Sequence, residues 1–283
     1  MRFKLLTFLV CFCIFSDQTV FGHPAMKRLK YGRDWAYQSI IVNGDEIFKS
    51  INASGGSWII YDRYEAIKSV LKQYNRPFTV LDLGANNGFF SIKIAEDFDA
   101  VCVMIDGSER LTDICTLNTE RNKIIHFQKH FNHAEIVELS KQEHFDVILA
   151  LHVLHHVDNW RGWVDTLFQM GDNVIIETPS ADDPINKFEH TKQLARYLTS
   201  LPNAVQIGAF PRHDKFDHML WFCQNNNGFN QAPFRLGIKP TSFFKFNGRF
   251  PTQSYVHELD GIIKNQCGDV SWVLQGVDYT LDQ

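Results

Sequence analysis

The sequence contains no cysteines in C-x-x-C spacing, so a zinc site built from thiolate pairs is disfavoured. It contains no run of about 20 apolar residues, which argues against a conventional membrane-spanning helix. Basic residues are not in excess, since 28 Lys and Arg stand against 32 Asp and Glu for a formal net charge of -4. A protein that grips nucleic-acid backbones through bulk charge is therefore not expected. No tract rich in Pro, Gly or Ser interrupts the 283 residues, a length that suits one large domain or two small ones.

The first 22 residues have the pattern of a secretory signal. Two basic residues precede an apolar run from Leu5 to Phe15, and small residues precede a cleavage point after Gly22. A positive start, roughly 7–15 apolar residues and small residues at the cut are typical of such signals. A short interfacial anchor is the alternative, because the basic side chains between Lys27 and Arg33 could contact anionic lipid. We expect a secreted or membrane-associated protein, or a cytosolic one if this segment is an anchor or a mis-assigned start.

Strand and helix patterns alternate through the middle of the chain. The apolar strands joined by helices predict an α/β fold, in which a parallel sheet is covered on both faces. Such sheets bind ligands beyond the carboxyl ends of their strands, so functional residues are expected just after Leu83, Ile105, Leu151 and Thr178. The predicted strands are 78–83, 100–105, 124–128, 145–151, 174–178, 204–209 and 218–224, the last two forming an antiparallel pair. The predicted helices are 58–74, 89–98, 111–122, 160–170 and 187–200.

The strongest motif is the turn that follows the first of these strands. Gly84 and Gly88 remove side chains that would block a ligand, and Asn86 tolerates a left-handed backbone. The nicotinamide-type spacing G-x-G-x-x-G fails, because Asn86 and Phe89 occupy its later glycine positions. Asp82 stands two residues before the first glycine, where a turn that binds pyrophosphate would gain nothing from an acid.

This D-x-G-x-x-x-G pattern resembles motif I of the class I S-adenosylmethionine (SAM)-dependent methyltransferases. Residues 145–157 resemble motif IV of the small-molecule branch, where a "vLHHv" run is common, and residues 172–179 resemble the fifth strand of the family. The resemblance covers about residues 58–224 and implies a Rossmann-like seven-stranded sheet whose last strand is antiparallel. The predicted regions are a signal or short anchor (1–22), an N-terminal extension (23–57), the methyltransferase domain (58–224) and a β-rich C-terminal appendage (225–283).

The resemblance also implies a cofactor and a reaction. SAM would bind at Asp82, Gly84, Asn86, Gly88 and Asp106, the last ending the second strand with a carboxylate that can accept both ribose hydroxyl hydrogens. The methyl group would pass to an O or N atom of a small molecule, lipid or saccharide. An RNA acceptor is less favoured, and a SAM-binding interaction module without catalysis is the alternative from another class. Residues 129–132 lack the acid that often contacts adenine, so that contact is unassigned.

Histidines follow the fourth strand at the place where the donor methyl would point. His152 is a candidate general base, since imidazole titrates near neutrality, although such a residue can also simply line a pocket. His155 and His156 are weaker catalytic candidates for which packing is the favoured interpretation. Residues 213–218 hold two His and two Asp, but we interpret them as a solvated turn between the last strands and expect no metal.

Overall fold

The structure is a computed structural model that describes residues 24–31, 38–50, 58–118, 123–141, 143–182, 189–211 and 217–225. The predicted signal or anchor and all but the first residue of the predicted C-terminal appendage lie outside the described residues. Within the described ranges, no helix combines the length and the apolar character that crossing a bilayer requires.

Nine strands and seven α-helices are present in the described part of the chain, and a single 3-10 turn, Leu154–His156, follows the sixth strand. The strands are β1 (Ile40–Val42), β2 (Asp45–Phe48), β3 (Phe78–Leu83), β4 (Ala100–Asp106), β5 (Ile124–Gln128), β6 (Phe145–Leu151), β7 (Gly171–Pro179), β8 (Ala204–Pro211) and β9 (Asp217–Gln224). The helices are α1 (Pro24–Tyr31), α2 (Trp58–Leu71), α3 (Phe89–Asp97), α4 (Glu109–Leu117), α5 (His133–Ser140), α6 (Trp160–Met170) and α7 (Glu189–Ser200).

Seven of the strands form one mixed sheet in the order β5-β4-β3-β6-β7-β9-β8. Strands β3 to β7 are parallel, whereas β9 pairs antiparallel with both β7 and β8. This topology confirms the predicted Rossmann-like sheet with its antiparallel ending. Because β3 lies between β4 and β6, the carboxyl ends of these three strands meet at the same edge of the sheet.

Helices cover both faces of the sheet, which explains why most positions of its central strands are apolar. Val80 of β3 packs with helices α2, α3 and α4 on one face, while its neighbour Leu81 packs with α5, α6 and α7 on the other. Both side chains are fully buried. Since successive side chains of a strand point to opposite faces, a strand covered on both sides is apolar along most of its length. The buried polar residues Thr79, Asp82 and Asp146 are accommodated through side-chain hydrogen bonds.

Two predicted helices were too long. Helix α2 ends at Leu71 rather than at residue 74, because Tyr74 leaves the helix to stack on Phe78 with ring centroids 4.4 Å apart. Helix α4 ends at Leu117 rather than at residue 122, since the Asn118 side chain turns back and donates to the Ile114 carbonyl at 2.9 Å.

The sequence-based prediction missed two short elements and made one strand too short. Helix α5 was not predicted, although Asn132 and Glu135 form a capping box at its start. The β1–β2 hairpin was not predicted either, although Asn43 and Gly44 at its turn both have positive φ, a strong hairpin signal. Strand β7 begins at Gly171, three residues earlier than predicted, because polar residues continue its pairing with β6.

Candidate active site

A cavity of about 510 Å³ opens at the carboxyl edge formed by β3, β4 and β6. Leu83, Ile105 and Leu151 line it with the residues that follow them, as expected for a parallel sheet. Thr178, at the end of β7, is fully buried and does not line it. The rest of the wall comes from residues 129–131 after β5, from Gln38, and from side chains of α2 and α6.

The turn between β3 and α3 has a left-handed backbone at three positions. Gly84 and Gly88 have φ of 71° and Asn86 has φ of 55°, so the residue types that the sequence places here match the conformation they must adopt. The Gly84 amide donates to the Ile105 carbonyl at 2.8 Å, which ties the turn to β4. A Cβ at Gly84 would lie 2.5 Å from Val153 Cγ2, so a glycine is also required by packing.

Asp106 lines the cavity next to this turn. Its Oδ2 accepts from the Asn86 amide at 2.9 Å, and its Oδ1 accepts from the Ser108 amide at 2.8 Å. A carboxylate oxygen can accept more than one hydrogen bond, so each oxygen retains capacity for a further donor. Because the side chain lines the cavity, it can receive the two hydroxyl hydrogens of a ribose. Gly84, Asn86 and Asp106 are therefore brought together on one wall.

Asp82 and Gly88 are not among the residues that line the cavity. Asp82 is buried and accepts from Ser91 Oγ at 2.8 Å. Burial raises the pKa of its carboxyl to about 7, against the opposing hydrogen bond from Ser91. A Cβ at Gly88 would lie 2.8 Å from Met104 Sδ, so this glycine serves the packing of α3 on β4. Direct contact of these two residues with SAM stays a prediction.

The histidines that follow β6 form a cluster beside the cavity. His152 and His156 line the cavity, whereas His155 lies beside them with its ring centroid 3.9 Å from each of theirs. His218 of β9 packs against His152, with ring centroids 4.8 Å apart. The sequence pattern predicts a solvated turn at residues 213–218. That interpretation is wrong for His218, which is only 2% exposed, while residues 212–216 lie outside the described part of the chain.

Two further residues on the wall were missed by sequence reasoning. Arg63 of α2 is buried, forms an ion pair with Glu177 of β7, and lies 5.0 Å from the Phe90 ring centroid. Gln38 comes from the N-terminal extension, and its side-chain oxygen accepts from the Asn87 amide at 3.2 Å. Neither residue carries a local signal, because a charged residue in an amphipathic helix is usually a surface residue.

Aromatic side chains also line the cavity. Phe131 lines it after β5, and the Lys129 ammonium lies 5.2 Å from the centre of the Phe131 ring. Trp163 of α6 is buried and also lines the cavity. The cavity thus combines polar groups around Asp106 with aromatic side chains, a combination that suits a ligand with a sugar and a planar ring.

A family model described as a methyltransferase domain matches residues 58–230. The chain belongs to this methyltransferase family. The match spans all seven strands of the large sheet together with the turn, the acid and the histidines described above. The family is that of the class I methyltransferases, and its cofactor is SAM.

Two named relatives share parts of this chain. The O-antigen chain terminator bifunctional methyltransferase/kinase WbdD of Escherichia coli is 26% identical over 177 residues, which are 59% of this chain and 22% of WbdD. The chain therefore spans about a fifth of the length of this curated relative. A crystal structure of WbdD has a TM-score of 0.51 at 20% identity, over 74% of this chain and 51% of that chain, and shows the common fold. The N-methyltransferase NodS of Bradyrhizobium japonicum WM9 is 17% identical with a TM-score of 0.46, over 60% of this chain and 97% of NodS.

Proposed function

We propose that this protein transfers a methyl group from SAM to an O or N atom of a small molecule, lipid or saccharide. The observation that carries the proposal is the Asp106 carboxylate, held by two backbone amides on the wall of a cavity at the carboxyl edge of a methyltransferase sheet. The relative WbdD is named for its part in terminating O-antigen chains, which supports a saccharide among these acceptor classes.

Buried polar atoms on and beside the cavity wall fit the methionine end of SAM, since Arg63 and Asn86 line the cavity and Glu177 pairs with Arg63. Arg63 Nε, Glu177 Oε1 and Asn86 Oδ1 are buried and have no hydrogen-bond partner within the described residues. A buried donor or acceptor without a partner is costly, so a ligand that supplies the missing bonds is stabilised here. An amino acid head group has both a carboxylate for Arg63 and an ammonium for the Asn86 oxygen, and both of these residues line the cavity. When bound, SAM supplies an electrophilic methyl group on a sulfonium.

The residues of the chain contribute mainly by positioning. Asp106 would hold the ribose and Arg63 the carboxylate, which aims the opposite side of the cofactor at the open part of the cavity. His152 and His156 line the same cavity, so a neutral imidazole nitrogen there can accept the proton that an acceptor hydroxyl or amine loses. A correctly oriented acceptor needs little further assistance for methyl transfer, because orientation lowers the entropic part of the barrier.

The test is calorimetric titration of SAM into the full chain and into the Asp106→Ala variant. We expect micromolar binding that weakens at least tenfold in the variant, equivalent to about 1.4 kcal/mol. Asp165→Ala is the matched control, since Asp165 is an exposed acid on α6 outside the cavity, and it should bind SAM like the native chain. A folded native chain that does not bind SAM would refute the proposal.

Transfer itself is measured with SAM labelled in its methyl group and separate pools of saccharides, lipids, small metabolites and RNA. Label in one of the first three pools supports the proposed acceptor class. Label only in RNA would move the acceptor to the less favoured class, and SAM binding without transfer to any pool would favour a non-catalytic binding module.

A further inference from the structure

Three histidines converge at the end of β6 in a way that packing alone does not demand. One ring nitrogen from each of His152, His155 and His156 lies within 4.8 Å of the other two. His155 is the central member of the cluster, with ring centroids 3.9 Å from both neighbours. Imidazole nitrogens are among the commonest protein ligands of transition metals, and three of them brought this close together can bind one ion.

The backbone holds this cluster in place through specific local bonds. His152 has φ of 59°, a left-handed conformation that is uncommon for a residue with a side chain. The 3-10 turn that follows is closed by the His156 amide, which donates to the Val153 carbonyl at 3.0 Å. His190 of α7 lies 3.0 Å from the His155 carbonyl oxygen through Nε2 and anchors the same turn from a distant helix. The ring nitrogens of these histidines therefore lie on a segment that hydrogen bonds hold in place.

We propose that His152, His155 and His156 bind one divalent transition-metal ion. Zinc–imidazole bonds of about 2.1 Å place the nitrogens of a tetrahedral site roughly 3.4 Å apart. Side-chain rotations that move the ring nitrogens by about 1 Å would therefore complete the site. His156 is exposed, and its ring has room for such a rotation. Three imidazoles without a carboxylate select Zn²⁺, Co²⁺, Ni²⁺ or Cu²⁺ over Mg²⁺ and Ca²⁺, which prefer oxygen ligands.

Three protein ligands leave a coordination position open on the cavity side. His152 and His156 line the cavity, so a ligand that enters it reaches the metal directly. A metal with an open position binds an oxygen atom and makes its proton more acidic. This second part of the inference rests on the proposed function. With the imidazoles bound to the metal, the acidified acceptor proton would pass to water instead of to a free imidazole, which favours an acceptor that presents a hydroxyl group over one that presents only an amine.

The experiment begins with the full chain stripped by a chelator and dialysed free of it. Zn²⁺ is titrated by calorimetry, and Co²⁺ is titrated by its visible absorption. We expect one equivalent of each ion, a Zn²⁺ dissociation constant in the micromolar range or below, and no heat with Mg²⁺. His155→Ala and His156→Ala should each weaken Zn²⁺ binding at least tenfold. Azide added to the Co²⁺ form should change its absorption, because a small anion enters an open coordination position.

The matched control is His144→Ala, which removes a histidine that bonds Asp172 at 2.8 Å outside the cluster. It should bind Zn²⁺ like the native chain. His156→Ala is the decisive variant because its exposed side chain can be removed with little effect on the fold, to be checked by circular dichroism. Equal Zn²⁺ binding by His156→Ala and His144→Ala, or no binding by the native chain, would show that the rings only pack together. An unchanged Co²⁺ spectrum with azide would overturn the open position.

The same samples are titrated with SAM to separate the two proposals. SAM binding without Zn²⁺ binding overturns the metal site and leaves the methyltransferase proposal intact. Zn²⁺ binding without SAM binding overturns the methyltransferase proposal and leaves the metal site intact.

Discussion

The buried ion pair between Arg63 and Glu177 joins the stability of the fold to the proposed cofactor site. The Arg63 side chain is 10% exposed and the Glu177 side chain 1%, so both charges are largely removed from water. Replacing Arg63 by Met keeps an apolar stem against Phe90 but leaves the Glu177 carboxylate without its counter-charge. Breaking a buried pair in this way costs about 3–5 kcal/mol of unfolding free energy. That is a large share of the roughly 5–15 kcal/mol that stabilises a typical domain.

The double variant Arg63→Met with Glu177→Leu separates stability from binding. Because two apolar residues of similar size replace two buried charges, its unfolding free energy should return to within about 1–2 kcal/mol of the native value. Its affinity for SAM should remain at least tenfold weaker, since Arg63 lines the cavity and its Nε has no other partner within the described residues.

The assay is urea denaturation followed by circular dichroism, with SAM calorimetry on each variant that remains folded. The matched control is Arg196→Met, which removes the arginine of an ion pair with Glu189 whose side chains are 61% and 62% exposed. Exposed pairs contribute about 0–1 kcal/mol, so this change should be almost neutral. If Arg63→Met is equally neutral, the burial argument fails. If the folded double variant binds SAM like the native chain, Arg63 does not hold the cofactor.

Two further predictions concern the end of β3 and the turn that follows it. Asp82 has a pKa of about 7 in the folded chain and near 4 when unfolded, so its contribution to stability is present below about pH 4 and is lost as pH rises through 7. Denaturation at a series of pH values should show this loss in the native chain relative to Asp82→Asn, and parallel pH profiles would contradict it. Gly84→Ala should cost at least about 1–2 kcal/mol, because alanine is strained at φ of 71° and its Cβ meets Val153. Adding Val153→Ala should recover the part due to the contact, and no recovery would show that the close approach is relieved elsewhere.

Much of the sheet was predictable because its central strands are buried on both faces. The bounds of β3, β5 and β6 agree with their prediction, since apolar residues predominate in each strand. Element ends were less predictable, as Tyr74 illustrates. Tyr74 continues the apolar pattern of α2, yet it lies beyond the end of the helix. Its hydroxyl donates to the Asp146 carbonyl at 3.0 Å.

The amino-acid sequence by itself determined the turn of the site and the acid beside it. Gly84 and Asn86 occupy left-handed positions, and Asp106 ends a strand, so each is marked by a local requirement that residue type reveals. Only the tertiary structure decided that Arg63 meets Glu177, 114 residues away, and that His218 packs on His152. These contacts depend on which strands become neighbours in the sheet. Strand order follows from the packing of the whole chain, and no local pattern around any one of these residues encodes it.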